Sequence, residues 1–356
     1  MSHQLLTTFP HDDLLDLEPW VGQRQCTFRF DRINGVTGEI LGELHPIRGA
    51  SLTHDTTRTI KRQLSMELGV VDSASIDVIS DRVLVFMVFP NGAEYPLGRY
   101  MFTDESKEVF TSGKLSSPAL NDEMFLVDQQ ITKGVAGNGD PVMSVVQNVL
   151  NGLPISYQME ASAFTAVGSW TVGTGRGSML EALAVQGDYF SPWFGNDGLM
   201  HWIRSFDPGD GRLPDFDFDD HKKVLRAGIV ETSDLIMAPN VFIVVSNVSD
   251  DTTNPVVGTA SVPPSAPHSA VNRGFDIPET QDLQVANVSQ ANAVAQNLAN
   301  RQTIFERVQL STPPDPRHDS YNVIRWQGSL WLELAWSMSL VEGGAMGHLL
   351  RKVYTV

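Results

Sequence analysis

Side chains that alternate apolar and polar along a chain can bury one face of an extended strand, and this period of two dominates two long stretches here. From Gln25, the residues Cys26, Phe28 and Phe30 alternate with Thr27, Arg29 and Asp31. Turn chemistry between Arg32 and Glu39, with Asn34-Gly35 and Gly38, precedes Ile40–Leu44 and predicts a hairpin. Ser75–Ser80, Arg82–Phe89 and Tyr95–Thr103 read as further strands, the last two parted by Pro90-Asn91-Gly92. Residues 25–128 are therefore expected to form an antiparallel β-domain, closed or sandwiched because strands this apolar need covered edges. The last third returns to the same pattern at Lys222–Val230, Val241–Val245, Phe305–Leu310, Tyr321–Trp326, Leu330–Leu340 and Leu349–Tyr354.

Between the two β regions the period changes. Asp140-Pro141 followed by Val142, Val145, Val146 and Val149 and ended by Gly152 predicts a helix with an N-cap, a proline at its first position and one apolar stripe. Ser178 and Glu181 have the spacing of a capping box, with Met179, Leu180, Leu183 and Ala184 as the buried face and Gly187 as the stop. Tyr189–Phe194 and Leu199–Ile203, parted by Gly195-Asn196-Asp197-Gly198, read as an aromatic hairpin. Residues 129–206 are thus expected to be a small α+β module, and residues 207–356 a second β-barrel-like domain. Within the latter, residues 249–282 carry five prolines among polar residues and are expected as a long exposed loop. Ser289 is expected to cap a helix burying Ala291, Val294, Ala295 and Leu298. The fold class expected is mainly β with an α+β middle module, two β-barrel-like domains flanking a small helix-and-sheet domain.

The chain has 356 residues, which is more than one ordinary core needs, and its 42 acidic against 25 basic residues give a formal charge of −17. That balance argues against a broad grip on nucleic acid, although an acidic wall along which DNA slides remains compatible with it. The single cysteine, Cys26, precludes an intrachain disulfide and reads as a small strand hydrophobe. The first 24 residues lack a signal-peptide pattern, and no run of about 18 apolar residues occurs, so a soluble product is expected. Leu14, Leu15, Leu17 and Trp20 among Asp12, Asp13, Asp16 and Glu18 suggest a docking arm or a short helix packed on its own domain.

No constellation of catalytic residues emerges. Asp207, Asp210, Asp215, Asp217, Asp219 and Asp220, followed by His221, form the densest carboxylate cluster, and alternate aspartates could hold a hard cation. Asp220 nevertheless stands where an EF-hand turn needs glycine, and a solvated acidic loop is the simpler reading. The nine histidines show no zinc-binding spacing, and His318 reads as a surface residue in a turn. Gly173-Thr174-Gly175-Arg176-Gly177 lacks the residues of a nucleotide-binding loop and reads as a flexible entry to a helix. Asn247-Val248-Ser249 and Asn287-Val288-Ser289 are glycosylation sequons without a secretory signal to use them. No catalytic, cofactor-binding or metal-ligating residue is assigned, and a structural rather than enzymatic role is expected.

The order of motifs adds a resemblance. Leu52-Thr53-His54-Asp55, Ser80-Asp81-Arg82-Val83 and Glu94-Tyr95-Pro96-Leu97-Gly98-Arg99-Tyr100-Met101-Phe102 are followed by Asn121-Asp122, Leu126-Val127-Asp128 and the helix after Gly177. Trp193-Phe194-Gly195-Asn196-Asp197-Gly198, Pro314-Asp315-Pro316-Arg317-His318-Asp319 and a closing strand near Met346 complete the series. In this order the chain resembles the tail hub (baseplate-hub-like) minor tail proteins of long-tailed bacteriophages. The resemblance implies a virion protein at the tail tip, assembled in the host cytoplasm. It would be a homotrimer whose two barrel-like domains per chain join a sixfold tail tube or distal tail ring to a threefold tip. The implied partners are a distal tail or tail tube protein, tail tip or fibre proteins and a tape measure protein, with DNA in passage through an acidic lumen and no cofactor. A competing expectation is a carbohydrate-active hydrolase using the aspartate cluster with Trp193 and Trp202. Another is a distal-tail or tail-tube component of sixfold symmetry.

Overall fold

The computed structural model describes residues 25–69, 72, 76–110, 113–206, 212–219, 224–233, 236, 238–246, 255–301 and 306–352. The expected N-terminal arm, Asp207, Asp210, Asp220 and His221 lie outside them. The first region comprises β1 (Thr27–Asn34), β2 (Ile40–Leu44), β3 (Pro46–Asp55), β4 (Arg62–Leu68), β5 (Asp81–Val88), β6 (Glu94–Phe110) and β7 (Gly113–Asp122). The middle holds α1 (Met124–Val127), β8 (Val135–Ala136), α2 (Val142–Leu150), β9 (Tyr157–Met159), β10 (Ser169–Trp170), α3 (Arg176–Gly187), β11 (Trp193–Phe194) and β12 (Met200–Trp202). The last region contains β13 (Phe216–Asp217), β14 (Leu225–Ser233), β15 (Val241–Ser246), β16 (Val256–Ser261), α4 (Ala270–Arg273), β17 (Pro278–Asp282) and α5 (Val288–Arg301). It ends with β18 (Glu306–Thr312), β19 (Val323–Trp326), β20 (Ser329–Leu340) and β21 (Met346–Lys352). The protein is mainly β, with helices concentrated in the middle and beside β15–β17.

Thirteen strands share one sheet, in the order β14-β18-β21-β20-β3-β4-β7-β6-β5-β1-β2, with β19 on β20 and β13 on β19. Among the described residues this path is open at β14 and β2 rather than closed into a barrel. The two β regions meet where β20 pairs antiparallel with β3, from Ala335↔Asp55 to Leu340↔Ala50. Trp336, Met338, Leu340 and Met346 consequently complete the core built by Leu52, Leu64, Val85 and Tyr100. The alternation along β4 explains an unusual burial: the inward row Arg62, Leu64, Met66 and Leu68 begins with a charged residue. Four consecutive residues of β20, Trp331 to Leu334, are buried because both faces of the strand are covered, Trp331 joining the cluster of Phe216 and Leu350 and Leu332 that of Tyr321 and Val323.

Several local expectations change. Residues 76–80 form a turn before β5 instead of a strand, held by Asp77 accepting from the Ile79 backbone N–H. Helix α3 begins at Arg176, ahead of Ser178, so the capping box does not form. Its first turn is instead satisfied from another element, Gly177 N–H donating to Asp128 Oδ1 at 3.1 Å, while Glu181 pairs with Ser191. The left-handed residue ending α3 is Asp188, at φ 61°, just after Gly187. Helix α2 buries the expected valine stripe, and α5 buries Ala291, Val294 and Ala295 but takes its cap from Asn287. The expected loop at 249–282 carries β16, α4 and β17 across its described part. Those strands flank β15, antiparallel and parallel respectively. Proline is compatible with this because Pro278 opens an edge strand and Pro263, Pro264 and Pro267 lie between strands.

Candidate functional site

Several of the motifs that carry the sequence resemblance, Asn121-Asp122, Trp193–Gly198 and Pro314–Asp319, meet at one buried junction. Its centre is Arg62, 1% exposed, where the first residue of β4 faces inward. Its Nη1 donates to Asn196 Oδ1 at 2.5 Å and its Nη2 to Asp319 Oδ1 at 2.5 Å. Trp193 Nε1 donates to the same Asp319 oxygen at 2.8 Å, and Asn196 Nδ2 donates to the Pro316 and His318 carbonyls at 2.9 Å. On the other side, the backbone N–H groups of Arg62 and Met124 each donate to Asp122 at 3.0 Å. One guanidinium thus ties the first β region, the Gly195–Gly198 turn of the middle module and the Pro316–Tyr321 segment of the last region.

That last segment distributes successive side chains into different clusters. Asp319 enters the Arg62 junction, Ser320 Oγ lies 2.7 Å from His54 Nε2, and Tyr321 stacks on Phe190 with centroids 4.1 Å apart. Trp336 donates from Nε1 to the Asp319 carbonyl at 3.0 Å and stacks on His54. Tyr321 sits at φ 59°, a conformation that costs a non-glycine residue about 1 kcal/mol or more and persists where surrounding contacts impose it.

Burial is the first cause of the electrostatics here. It pushes the Asp122 carboxyl up to about 6, against the two backbone donors that favour its ionised form. Burial also holds His54 well below 6.5, reinforced by the positive charges of Arg62 and Lys61. Arg62 is opposed by burial as well, but Asp319, Tyr100 and Asp122 together outweigh it and raise the guanidinium. These shifts predict a measurable pH dependence. His54 has a depressed folded pKa, so as pH falls below 6.5 the unfolded chain takes up a proton that the folded chain refuses, and stability is lost. Asp122 acts in the opposite sense, contributing stability in full below 3.8 that is lost as pH rises through about 6. Comparing wild type with His54→Asn in urea titrations cancels Asp122. Any advantage of wild type should shrink by about 1.4 kcal/mol per pH unit below 6.5. A constant difference from pH 7 to 5 would show that His54 is not held neutral.

A second buried cluster adjoins the first. His318, expected at the surface, is 2% exposed because Phe216 stacks face to face on its ring at 3.8 Å. His318 Nδ1 lies 2.8 Å from Glu333 Oε2, and His348 Nδ1 lies 2.6 Å from Glu333 Oε1. Burial opposes ionisation of Glu333, but the His318 ring and the two hydrogen bonds outweigh it and lower its pKa. A cavity of about 120 Å³ lies beside this cluster, lined in part by Asp215, Asp217, Thr312, Arg317 and His318.

The described aspartates of the sequence cluster do not converge on a common point as cation ligands. Asp215 accepts from Val323 N–H, Asp217 from Arg325 and Asp219 from Gly328 N–H, so each fastens β13 and its flanks to the β19–β20 hairpin. Trp193 and Trp202 are 3% and 0% exposed, leaving no face for a sugar. Cys26 is a buried thiol. Sequence reasoning passed over Arg62 and Glu333. A charged residue at an inward position of an alternating strand, and a lone acid within Trp331-Leu332-Glu333-Leu334-Ala335-Trp336, are signals that could have found them. Among the described residues no helix is long and apolar enough to cross a membrane.

Neither a protein-family model nor a curated protein sequence matches this chain. Solved structures do. The 43 kDa tail protein of prophage MuSo2 from Shewanella oneidensis is similar over 92% of this chain and 98% of its own, with a TM-score of 0.59 and 11% identity. A tail protein from Neisseria meningitidis matches over 92% and 97%, with a TM-score of 0.57 and 12% identity. The prophage tail protein gp18 from Listeria monocytogenes matches over 91% and 94%, with a TM-score of 0.55 and 7% identity. At these identities the likeness concerns the fold, and it spans nearly the whole of each chain. The chain has the fold of the prophage tail proteins.

Proposed function

We propose that this chain is a structural component of a phage-type tail, a hub at the tail tip assembled in the host cytoplasm. The observation that carries the reading is the full-length likeness to three prophage tail proteins. The internal architecture supports it. Arg62, Asn196, Trp193 and Asp319 bond to one another rather than facing an open cleft, which suits a part that transmits load, and the joined sheet makes the two β regions one stiff body. In this reading residues 25–128 and 207–356 are the two modules that alternate around a threefold axis, with 129–206 between them. The partners are two further copies of the chain, a tail tube or distal tail protein, and tip or fibre proteins, with a tape measure protein and DNA passing through the lumen. The formal charge of −17 favours a wall that DNA slides past.

Light scattering coupled to gel filtration, followed by negative-stain microscopy, tests the proposal. The expected result is a mass of three chains and a threefold ring that binds a tube protein. A sixfold ring would place the chain with the distal-tail components, and a lone monomer that binds no tube protein would overturn the reading.

A further inference from the structure

The triad of His318, Glu333 and His348 poses a problem of protons. Thr312 Oγ1 is within hydrogen-bond distance of two acceptors, the Pro313 carbonyl at 3.0 Å and His348 Nε2 at 2.8 Å. A hydroxyl has one proton. When it goes to the carbonyl, His348 Nε2 must carry a hydrogen and donate to Thr312, and Nδ1 then faces Glu333 Oε1 at 2.6 Å with a lone pair opposite a carboxylate. When it goes to Nε2 instead, the neutral ring donates from Nδ1 to Glu333, and that Nδ1 proton occupies the position a cation would take. The same question arises at His318, whose Nδ1 faces the other carboxylate oxygen, while its Nε2 is buried without a hydrogen-bond partner among the described residues.

Two imidazoles and one carboxylate, each about 1% exposed or less at the side chain, with ligand atoms all within 4.8 Å of one another, form a donor set suited to a divalent transition metal. Alternation along β20 puts Glu333 on the same face as Trp331, between a loop that supplies His318 and the strand β21 that supplies His348. Of the three ligands His318 lines the adjoining cavity, with Asp215 and Asp217 among the carboxylates beside it, so a cation would approach past its ring.

We propose that His318 Nδ1, His348 Nδ1 and Glu333 bind one zinc ion, which takes the place of the protons otherwise shared between the rings and the carboxylate. The ion fastens the segment before β19 to β20 and β21. Ligation through Nδ1 leaves a hydrogen on each Nε2, donated to Thr312 by His348 and carried at a buried position by His318. Binding therefore releases protons to the medium and strengthens as pH rises.

Full-length protein stripped with chelator and dialysed against zinc should retain one equivalent by elemental analysis. With free zinc at about 100-fold its Kd, Tm should rise by roughly 3–4 °C. Cobalt(II) added to the stripped wild type should give the visible absorption of a low-symmetry site, a readout that needs no variant. His348→Gln, a neutral amide that keeps the polar volume, should fold with an unchanged circular dichroism spectrum and bind at least tenfold more weakly. Absence of retained zinc and of a cobalt spectrum in the wild type would assign the triad to a shared proton and overturn the proposal. Undiminished binding in both His348→Gln and His318→Gln would overturn it equally.

Discussion

Replacing Arg62 by alanine should cost about 2–3 kcal/mol of stability, because it removes the buried guanidinium that donates to both the half-buried Asp319, 28% exposed at its side chain, and Asn196. The loss should also be cooperative across regions. Asp122 still accepts from the backbone at position 62, so the start of β4 stays anchored, whereas the links to the Gly195–Gly198 turn and to Pro316–Tyr321 disappear together. Arg62→Lys should recover only part of the loss, since a single ammonium cannot reach Asn196 and Asp319 with the fork geometry of a guanidinium. Denaturant melts of Arg62→Ala, Asp319→Asn and the double variant would measure this, with the double variant costing much less than the sum. If Arg62→Ala loses under about 1 kcal/mol, the junction does not hold the three regions together.

Gly258→Val should unfold a smaller part of the molecule. A Cβ built at Gly258, in the middle of β16, would lie 2.2 Å from the Ala291 carbonyl carbon and 2.5 Å from both its oxygen and the Asn292 nitrogen. Those atoms belong to the backbone of α5, so no rotamer change relieves the clash, and the strand must part from the helix. The neighbouring Thr259 N–H to Asn292 Oδ1 hydrogen bond, 3.0 Å long, should go with it. A cost of about 3 kcal/mol is expected, confined to the β15–β17 sheet and α5. Hydrogen exchange should show lost protection there and unchanged protection in β3, β4 and β20. Unaltered exchange at β16 in the valine variant would show that the helix does not sit this close.

Much of the local structure was legible in the sequence. The alternation in Cys26–Phe30 and the turn residues after Arg32 specify the β1–β2 hairpin, and the valine spacing specifies the buried face of α2. These features depend on neighbours a few positions apart, which the sequence displays directly. The misread elements depended on distant residues. Asp128 caps α3 in place of Ser178, and β15 recruits the proline-rich segment as two strands. Phe216 and Glu333 turn His318 from an apparent surface residue into a buried one.

By itself the sequence determined a mainly β protein with a helical insert, because the period of side-chain burial is a local property of the backbone. Only the tertiary structure decided that β20 would pair with β3, that Arg62 would find Asp319 a great distance along the chain, and that three scattered ionisable groups would close into a triad. The reason is physical. A buried charge is stable only beside a partner that pays its desolvation, and which residue becomes that partner is fixed by how strands register in space rather than by their spacing in sequence.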